Sequence, residues 1–169
     1  MCTLSNEPDW SREEKSIFSW QPSRSLLASI RRYQKFTKSK NPIFILLRMV
    51  AVLRHRFWSV ITGADIPLNS RLGGGLLCMH PNGIVIHPDV EIGINCTIFQ
   101  QVTIGTRNGR GLPVIGNYVL IGAGAKVLGS VRIGNYAAIG ANSVVMIDVP
   151  DNHIAVGIPA VIKASVTNC

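Results

Sequence analysis

The sequence of 169 residues predicts a mainly β fold, a parallel β-helix of six-residue repeats with a small α-helical segment in front of it. Three observations support this fold class. An aliphatic residue recurs at every sixth position, small residues and glycines recur at fixed offsets from it, and the N-terminal third shows helical periodicity instead. We therefore expect a helical segment over residues 1–64, a repeat domain over residues 65–164 and a short tail over residues 165–169.

The six-residue period is the strongest of these signals. It matches neither the period of an α-helix, about 3.6 residues, nor the two-residue alternation of a strand. It is typical of a triangular prism in which each repeat forms one flat side and the aliphatic residue points inward. The register shifts once, by eleven residues between Ile104 and Ile115. The ten inward positions are all Ile or Val: Ile86, Ile92, Ile98, Ile104, Ile115, Ile121, Val127, Ile133, Ile139 and Val145.

Irregularities in the repeat mark where the prism is interrupted. The eleven-residue step equals one repeat plus five inserted residues, so residues 106–112 must project as a loop. A weaker run of repeats precedes the regular one and ends in a two-residue slip from Ile84 to Ile86. Cys78 and Cys96 fall on inward positions, which favours small buried thiols in a reducing compartment. No cysteine pair has the CxxC spacing of a zinc site, so we expect no metal.

Positive charge is concentrated in the N-terminal third. The net charge is +8, and residues 1–64 hold 11 Lys/Arg against 4 Asp/Glu. Nine basic residues and no acidic one lie between Arg24 and Arg56. The pattern fits a solvated helix face, or contact with anionic lipid or a polyanionic acceptor, and no nucleic-acid-binding motif accompanies it. We expect a cytoplasmic protein without a signal peptide, either free or peripheral at the inner face of the membrane.

Two helices are expected before the repeats. Residues 23–39 place their apolar side chains on one helical face. Asn41 followed by Pro42 is a start signal for a second helix, and Gly63 is placed to end it. The second helix is apolar, but arginine interrupts it and it is too short for a membrane span, which favours a buried or interface-lying helix.

Six segments of the repeat domain carry a more specific pattern than the period itself: residues 64–66 (ADI), 80–86 (HPNGIVI), 101–105 (QVTIG), 121–126 (IGAGAK), 139–145 (IGANSVV) and 156–160 (VGIPA). In this order they resemble the serine acetyltransferase branch of the hexapeptide-repeat acyltransferases. This branch is similar to the O-acetyltransferases that modify polysaccharides. The resemblance implies a left-handed parallel β-helix and a homotrimer, alone or as a dimer of trimers, with active sites in the grooves between neighbouring prisms. It also implies acetyl-CoA as the co-substrate.

The resemblance assigns the central chemical role to His80. Attack of a hydroxyl on a thioester needs a base that takes the proton as the new bond forms, and imidazole titrates near neutral pH. His80 stands where the family has its catalytic histidine, which implies that it is this base. Asp65 matches a family aspartate near the acceptor. Arg107 and Arg110 offer positive charge for acceptor binding from the projecting loop.

A site for acetyl-CoA along the groove is also implied by the resemblance. Small residues at the corners of the prism would let the pantetheine arm approach the backbone, and the two lysines would meet the phosphates. The candidate contacts are Gly105, Thr106, Ala123, Lys126, Ala141 and Lys163.

Two departures from the family pattern bear on the acceptor. Serine acetyltransferases carry an aspartate just before the catalytic histidine, and here that residue is Met79. They carry an Arg-His-Pro run in a longer loop, whose histidine helps to hold the serine carboxylate, and here the run is Gly111-Leu112-Pro113. These losses lead us to expect a sugar or polysaccharide-precursor hydroxyl as the acceptor. Two alternatives stay open: a divergent serine O-acetyltransferase of cysteine biosynthesis and a catalytically inactive repeat scaffold.

Overall fold

A computed structural model describes residues 6–16 and 19–164 of the chain. The predicted tail, residues 165–169, lies outside the described residues. Within the described ranges, two α-helices are followed by fourteen short strands, as the change of periodicity in the sequence predicts. A single 3-10 turn at Trp10–Arg12 precedes the helices.

The first helix, α1 (Pro22–Phe36), begins with proline in its first turn and ends three residues earlier than the sequence pattern suggested. Its buried face includes Leu26, Leu27 and Ile30, which are at most 1% exposed. Arg31 fastens the helix to the prism, because its guanidinium donates to the carbonyl oxygens of Leu72 and Gly73, both at 2.6 Å. This arginine therefore joins α1 to the first coil of the prism.

The second helix, α2 (Pro42–Thr62), begins and ends where the sequence predicts. The side-chain oxygen of Asn41 accepts a hydrogen bond from the Ile43 amide at 2.9 Å, which caps the first turn. Gly63 adopts a left-handed φ of +62° and its amide donates to the Ser59 carbonyl at 2.9 Å. Nε2 of His55 lies 2.8 Å from the Ile66 carbonyl oxygen and ties the helix to the chain that follows it.

The strands form the three sides of a prism. The first side has the strand order β1-β4-β7-β10, the second β14-β13-β11-β8-β5-β2 and the third β12-β9-β6-β3. All pairings are parallel except that of β13 with β14. The strands are β1 (Arg71–Leu72), β2 (Leu77–Cys78), β3 (Val85–Ile86), β4 (Glu91–Ile92), β5 (Thr97–Ile98), β6 (Thr103–Gly105), β7 (Val114–Ile115), β8 (Leu120–Ile121), β9 (Lys126–Leu128), β10 (Arg132–Ile133), β11 (Ala138–Ile139), β12 (Val144–Val145), β13 (His153–Gly157) and β14 (Ala160–Ala164).

The predicted inward residues form the core. All ten Ile and Val positions of the regular repeat are at most 4% exposed. Equivalent residues of successive coils lie directly above one another, as in the pairing of Ile98 with Ile121 and of Ile121 with Ile139. Each such side chain contributes about 1.5–3 kcal/mol through burial, so an aliphatic ladder stabilises the prism without a large aromatic core.

The two cysteines on inward positions are structural. Burial raises the pKa of the Cys78 thiol to about 12 and that of the Cys96 thiol to about 11. Both are protonated at neutral pH, and the Cys96 sulfur lies 3.2 Å from the Gly116 carbonyl oxygen. Neither thiol has the exposed, anionic character that a nucleophile needs.

The sequence pattern did not reveal how the prism ends. β13 and β14 form an antiparallel hairpin, in which His153 pairs with Ala164 and Gly157 with Ala160. The hairpin adds its strands to the second side, so residues 160–164 belong to the folded domain. Within the described ranges, neither helix combines the length and hydropathy that crossing a bilayer requires.

Candidate active site

His80 lies in a bulge between the second and third sides of the prism. The inward residues Cys78 and Ile86 are eight positions apart, whereas the residues paired with them, Ile98 and Ile104, are six apart. The extra residues form a wider corner in which His80 has a φ of +50°. A similar left-handed φ recurs at seven other non-glycine residues of the described chain, so the wider corner and not the φ value distinguishes His80. The two-residue slip in the sequence is therefore the feature that presents His80.

The bulge is held at both ends by backbone hydrogen bonds. The Met79 amide donates to the Ile98 carbonyl at 2.8 Å, and the Gly83 amide donates to the Gly63 carbonyl at 3.0 Å. Nε2 of Gln101 donates to Oδ1 of Asn82 at 2.9 Å, which ties the bulge to the coil above. Its backbone is thus fixed although His80 itself is exposed.

The imidazole faces an open pocket of about 370 Å³ between the bulge and the helices. The start of α1 contributes Pro22 and Ser23, and the end of α2 contributes Ile61 and Thr62. In the part of the chain that the structure describes, the His80 side chain has no hydrogen-bond or ion-pair partner. It is available to a hydroxyl that enters the pocket, which is the geometry required of a general base.

No carboxylate of the described residues orients the His80 ring. Asp65 is exposed and bridges Val85 on the third side, but its oxygens do not come within 4.0 Å of a His80 nitrogen. The adjacent Met79 side chain is half-buried and offers only a thioether. A partner that fixes the tautomer must come from outside the described residues of this chain.

Five of the six predicted cofactor residues divide between two corners of the prism. Ala123 and Ala141 lie on the same corner as His80, in coils farther along the prism, and their amides have no acceptor among the described residues. Lys126 begins β9 beside this corner, and its Nζ donates to the Gln101 carbonyl at 2.6 Å. This corner offers a row of small side chains that leads away from His80.

The remaining loop residues lie on the corner between the third and first sides. Arg107 and Arg110 exchange backbone hydrogen bonds of 3.1 and 2.9 Å around a tight turn, and both side chains are exposed. Asn108 and Gly109 at the turn have φ values of +50° and +71°, the pattern of a type I′ turn. Gly105 and Thr106 lead into this turn at the end of β6. The third side of the prism therefore separates this loop from His80.

Lys163 lies at the far end of the prism. It belongs to β14 at one edge of the six-stranded second side, whereas β2, which precedes His80, forms the other edge. Five strand spacings separate them, or about 24 Å along the prism. The structure therefore places this lysine far from the imidazole along the long axis.

Three polar side chains at or near the bulge were not among the predicted site residues. Asn82 and Gln101 join the bulge to the next coil. Oε1 of Gln100 is buried without a hydrogen-bond partner among the described residues, one coil above the bulge. An unpaired buried acceptor is costly, and a donor group of a bound ligand would satisfy it. Asn82 and Gln101 lie in the segments 80–86 and 101–105 that carry the resemblance, and Gln100 directly precedes the second of these segments.

Comparisons with known proteins agree with the fold. Residues 113–146 match the family model described as bacterial transferase hexapeptide (six repeats). The match spans the strands from β7 to β12, so this part of the prism has the repeats of the bacterial hexapeptide transferases. A serine acetyltransferase of Synechococcus elongatus is 44% identical over 103 residues, which are 59% of this chain and 42% of that protein.

Solved serine acetyltransferases share the architecture of this hexapeptide-repeat protein. One in complex with CoA has a TM-score of 0.70 and 32% identity, covering 85% of this chain and 58% of the other. Soybean serine acetyltransferase complexed with serine has a TM-score of 0.71 and 35% identity, covering 84% and 57%. The left-handed parallel β-helix expected from the resemblance is confirmed. The chain spans about half the length of the curated relatives it matches.

The two departures from the family pattern have structural counterparts. Met79 directly precedes the bulge and cannot act as the hydrogen-bond acceptor that an aspartate would be. Leu112 packs against the hydrophobic core and Pro113 is buried, so the end of the loop is turned inward. The loop thus exposes Arg107 and Arg110 as its charged groups.

Proposed function

We propose that this protein is an acetyl-CoA-dependent O-acetyltransferase with His80 as its general base. The observation that carries the proposal is the His80 bulge: a widened, hydrogen-bonded corner presents to an open pocket an imidazole that has no partner among the described residues. Relatives named serine acetyltransferases support L-serine as the acceptor, in preference to the sugar hydroxyl expected from the sequence.

The proposed chemistry needs one proton transfer at His80. The imidazole takes the proton of the acceptor hydroxyl while the oxygen attacks the thioester carbonyl carbon. The carbon–sulfur bond breaks, and the departing sulfur receives the proton from the imidazolium. The products are the O-acetylated acceptor and CoA, and His80 returns to its neutral form.

The residues present are compatible with CoA along the corner that contains His80. The free amides of Ala123 and Ala141 are donors for the pantetheine arm, and Lys163 would meet phosphates at the far end. Gly105, on the corner of the projecting loop, supports a second contact with CoA. Among the described residues, a Cβ at this glycine would meet only the His87 Cβ, at 3.8 Å, so these residues do not require a glycine there. The absence of a side chain leaves space for a ligand.

A sugar hydroxyl is the second candidate acceptor, favoured by the loop. With Leu112 turned toward the core, the described loop residues offer no histidine to a serine carboxylate. A larger, neutral acceptor would not need that contact. The exposed Arg107 and Arg110 supply charge that either an amino acid or an anionic sugar precursor would use.

An acceptor assay tests the activity and distinguishes the two candidates. Thiol release from acetyl-CoA is measured without acceptor, with L-serine and with a panel of sugars. We expect L-serine to raise the rate about 10²-fold or more above the acceptor-free rate, since a positioned base is worth at least that much. Acceleration by a sugar alone would move the assignment to the second candidate, and no acceleration by any acceptor would contradict the proposed activity.

The division of the candidate residues between two corners supports a site shared by neighbouring copies in a homotrimer. His80 would come from one prism, and the loop with Arg107 and Arg110 from the next. Mixed trimers test this arrangement. An equimolar mixture of His80→Ala with Arg107→Glu/Arg110→Glu, unfolded and refolded together, should regain about a quarter of wild-type activity, because one site in four combines both intact halves.

The matched control places all three substitutions in one chain and mixes it with wild type. A shared site predicts about a quarter of wild-type activity for this mixture, and a site within one copy predicts about half. The shared site would be contradicted if the mixture of the two variants regained no activity while the mixture of the triple variant with wild type kept half of the wild-type activity. Full activity of Arg107→Glu/Arg110→Glu alone would remove the arginines from the acceptor site.

A further inference from the structure

The apolar side of α2 is exposed over the whole length of the helix. These side chains, here called the α2 stripe, are between 40% and 82% exposed: Ile43, Leu46, Met49, Val50, Leu53, Phe57, Val60 and Ile61. At about 100° per residue they cover an arc of about 120° and run along about 27 Å of helix. So large a continuous apolar surface marks a binding face.

The packing of α2 onto its own chain uses the opposite side of the helix. Ala51 is fully buried, Thr62 is 4% exposed and Trp58 packs against the core. His55 anchors the same side through the Ile66 carbonyl at 2.8 Å. The α2 stripe therefore has no structural role in the described part of the chain.

Arginines border the α2 stripe on both long edges. Arg54 lies on one edge and Arg56 on the other, and both are exposed. The stretch from Arg24 to Arg56 contains nine basic residues and no acidic one. An apolar face with basic side chains along its edges is the arrangement of helices that lie in the plane of a membrane, where the arginines reach the headgroups.

We infer that the α2 stripe docks onto an anionic membrane surface, with the helix axis parallel to the bilayer. The charge distribution favours this partner over a second copy of the chain. Two α2 helices packed through their stripes would bring Arg54 and Arg56 of both copies together near the middle of the interface, with no acidic residue of α2 to offset them. Anionic headgroups complement these arginines instead.

Vesicle binding by the full chain tests the inference. The protein is sedimented with phosphatidylcholine vesicles, with or without 30% phosphatidylglycerol, at low and high NaCl. We expect binding to the anionic vesicles, at least tenfold weaker binding to the neutral ones and release at high salt, because salt screens the attraction of basic residues to lipid. Equal binding to both vesicle types, or to neither, would overturn the inference.

Paired variants locate the surface. Leu53→Glu/Phe57→Glu and Arg54→Gln/Arg56→Gln should each weaken binding to anionic vesicles at least tenfold. Ile147→Glu/Ile158→Glu adds the same two charges to exposed apolar residues at the other end of the prism, and it should bind as wild type does. Loss of binding in this control but not in the α2 variants would overturn the assignment.

Sedimentation without lipid tests whether a second copy of the chain covers the α2 stripe instead. If the wild type forms larger assemblies than Leu53→Glu/Phe57→Glu and binds no vesicles, the α2 stripe is an interface between copies and the inference is wrong. Wild-type and variant assemblies of equal size, together with lipid binding by the wild type alone, would support the membrane surface. Arg54→Gln/Arg56→Gln keeps the apolar residues, so it remains informative if the glutamate variant does not fold.

Discussion

Replacing His80 by alanine should lower kcat/KM for acetyl transfer by about 10²–10⁴-fold, the usual contribution of a positioned general base. The imidazole is the one titratable group that the bulge presents to the pocket, and no other described histidine lies on this corner. Because proton transfer occurs in the chemical step, the loss should fall on kcat, while KM for acetyl-CoA stays near its wild-type value.

The left-handed backbone of His80 makes the choice of replacement important. Alanine is strained at a φ of +50°, whereas asparagine tolerates that region. His80→Asn should therefore keep the bulge and the thermal stability of the protein while it loses activity as His80→Ala does. His153→Ala is the matched control, since this ring contacts the Asp151 carbonyl at 2.7 Å on the C-terminal hairpin. It should leave the rate unchanged.

The size of the loss decides between the open alternatives. A decrease of less than tenfold in both His80 variants would remove His80 from the role of base. The inactive scaffold would be favoured by two results together: the wild type transfers acetyl to no acceptor, and His80→Asn binds ligand as the wild type does.

The prism could be predicted because each six-residue repeat of the sequence corresponds to one flat side of the fold. One inward residue per flat side fixes which six-residue positions are buried, and residues such as Ile98 and Ile121 could be assigned before any contact was known. The same reasoning located the helix start at Asn41 and the helix end at Gly63, since both residues act on the backbone next to them. Local signals of this kind do not depend on tertiary context.

The candidate site could be predicted only in part, because its residues come from distant segments. The repeat does not reveal that Pro22 and Thr62 line the pocket of His80, since the helices dock on the prism through individual contacts, such as those of Arg31 and His55, and not through a repeated pattern. Nor does it separate Gly105 from Ala123, which occupy different corners of the same three-sided column. Corner identity follows from counting strands in the structure.

The exposure of α2 is the largest difference between the sequence interpretation and the structure. Apolar residues are usually buried, and the sequence favoured a buried or interface-lying helix. Within this chain the apolar side is the outer one, and Val60 is 82% exposed. Hydropathy shows where an apolar face lies on a helix but not which partner covers it. The structure excludes burial of this face within the described chain, so the interface-lying helix is the interpretation that stays open.

Substituting alanine for Gly93 should destabilise the protein by about 3 kcal/mol or more, because it adds an atom where two coils touch. A Cβ at this position would lie 2.4 Å from the Gly116 carbonyl oxygen and from Oδ1 of Asn117. The first contact is with backbone, which cannot move without separating the coils. The Gly93 amide also donates to the Ile115 carbonyl at 2.9 Å, and this stacking bond would be strained.

Gly105→Ala is the matched control for Gly93→Ala, because both glycines lie outside the left-handed region and differ in what surrounds them. The added methyl group at position 105 meets only the His87 Cβ, at 3.8 Å, so the change in stability should stay below about 1 kcal/mol. Denaturant midpoints measured at one protein concentration compare the two variants without the effect of assembly on stability.

The same pair of variants separates folding from ligand binding. Gly105→Ala should remain folded but raise KM for acetyl-CoA, since its methyl group enters the space proposed for the ligand. Equal loss of stability in both variants would mean that the glycine at position 105 serves the packing of coils. Unchanged stability and an unchanged KM would remove Gly105 from the proposed CoA contact and leave the corner of Ala123 and Ala141 as the remaining candidate.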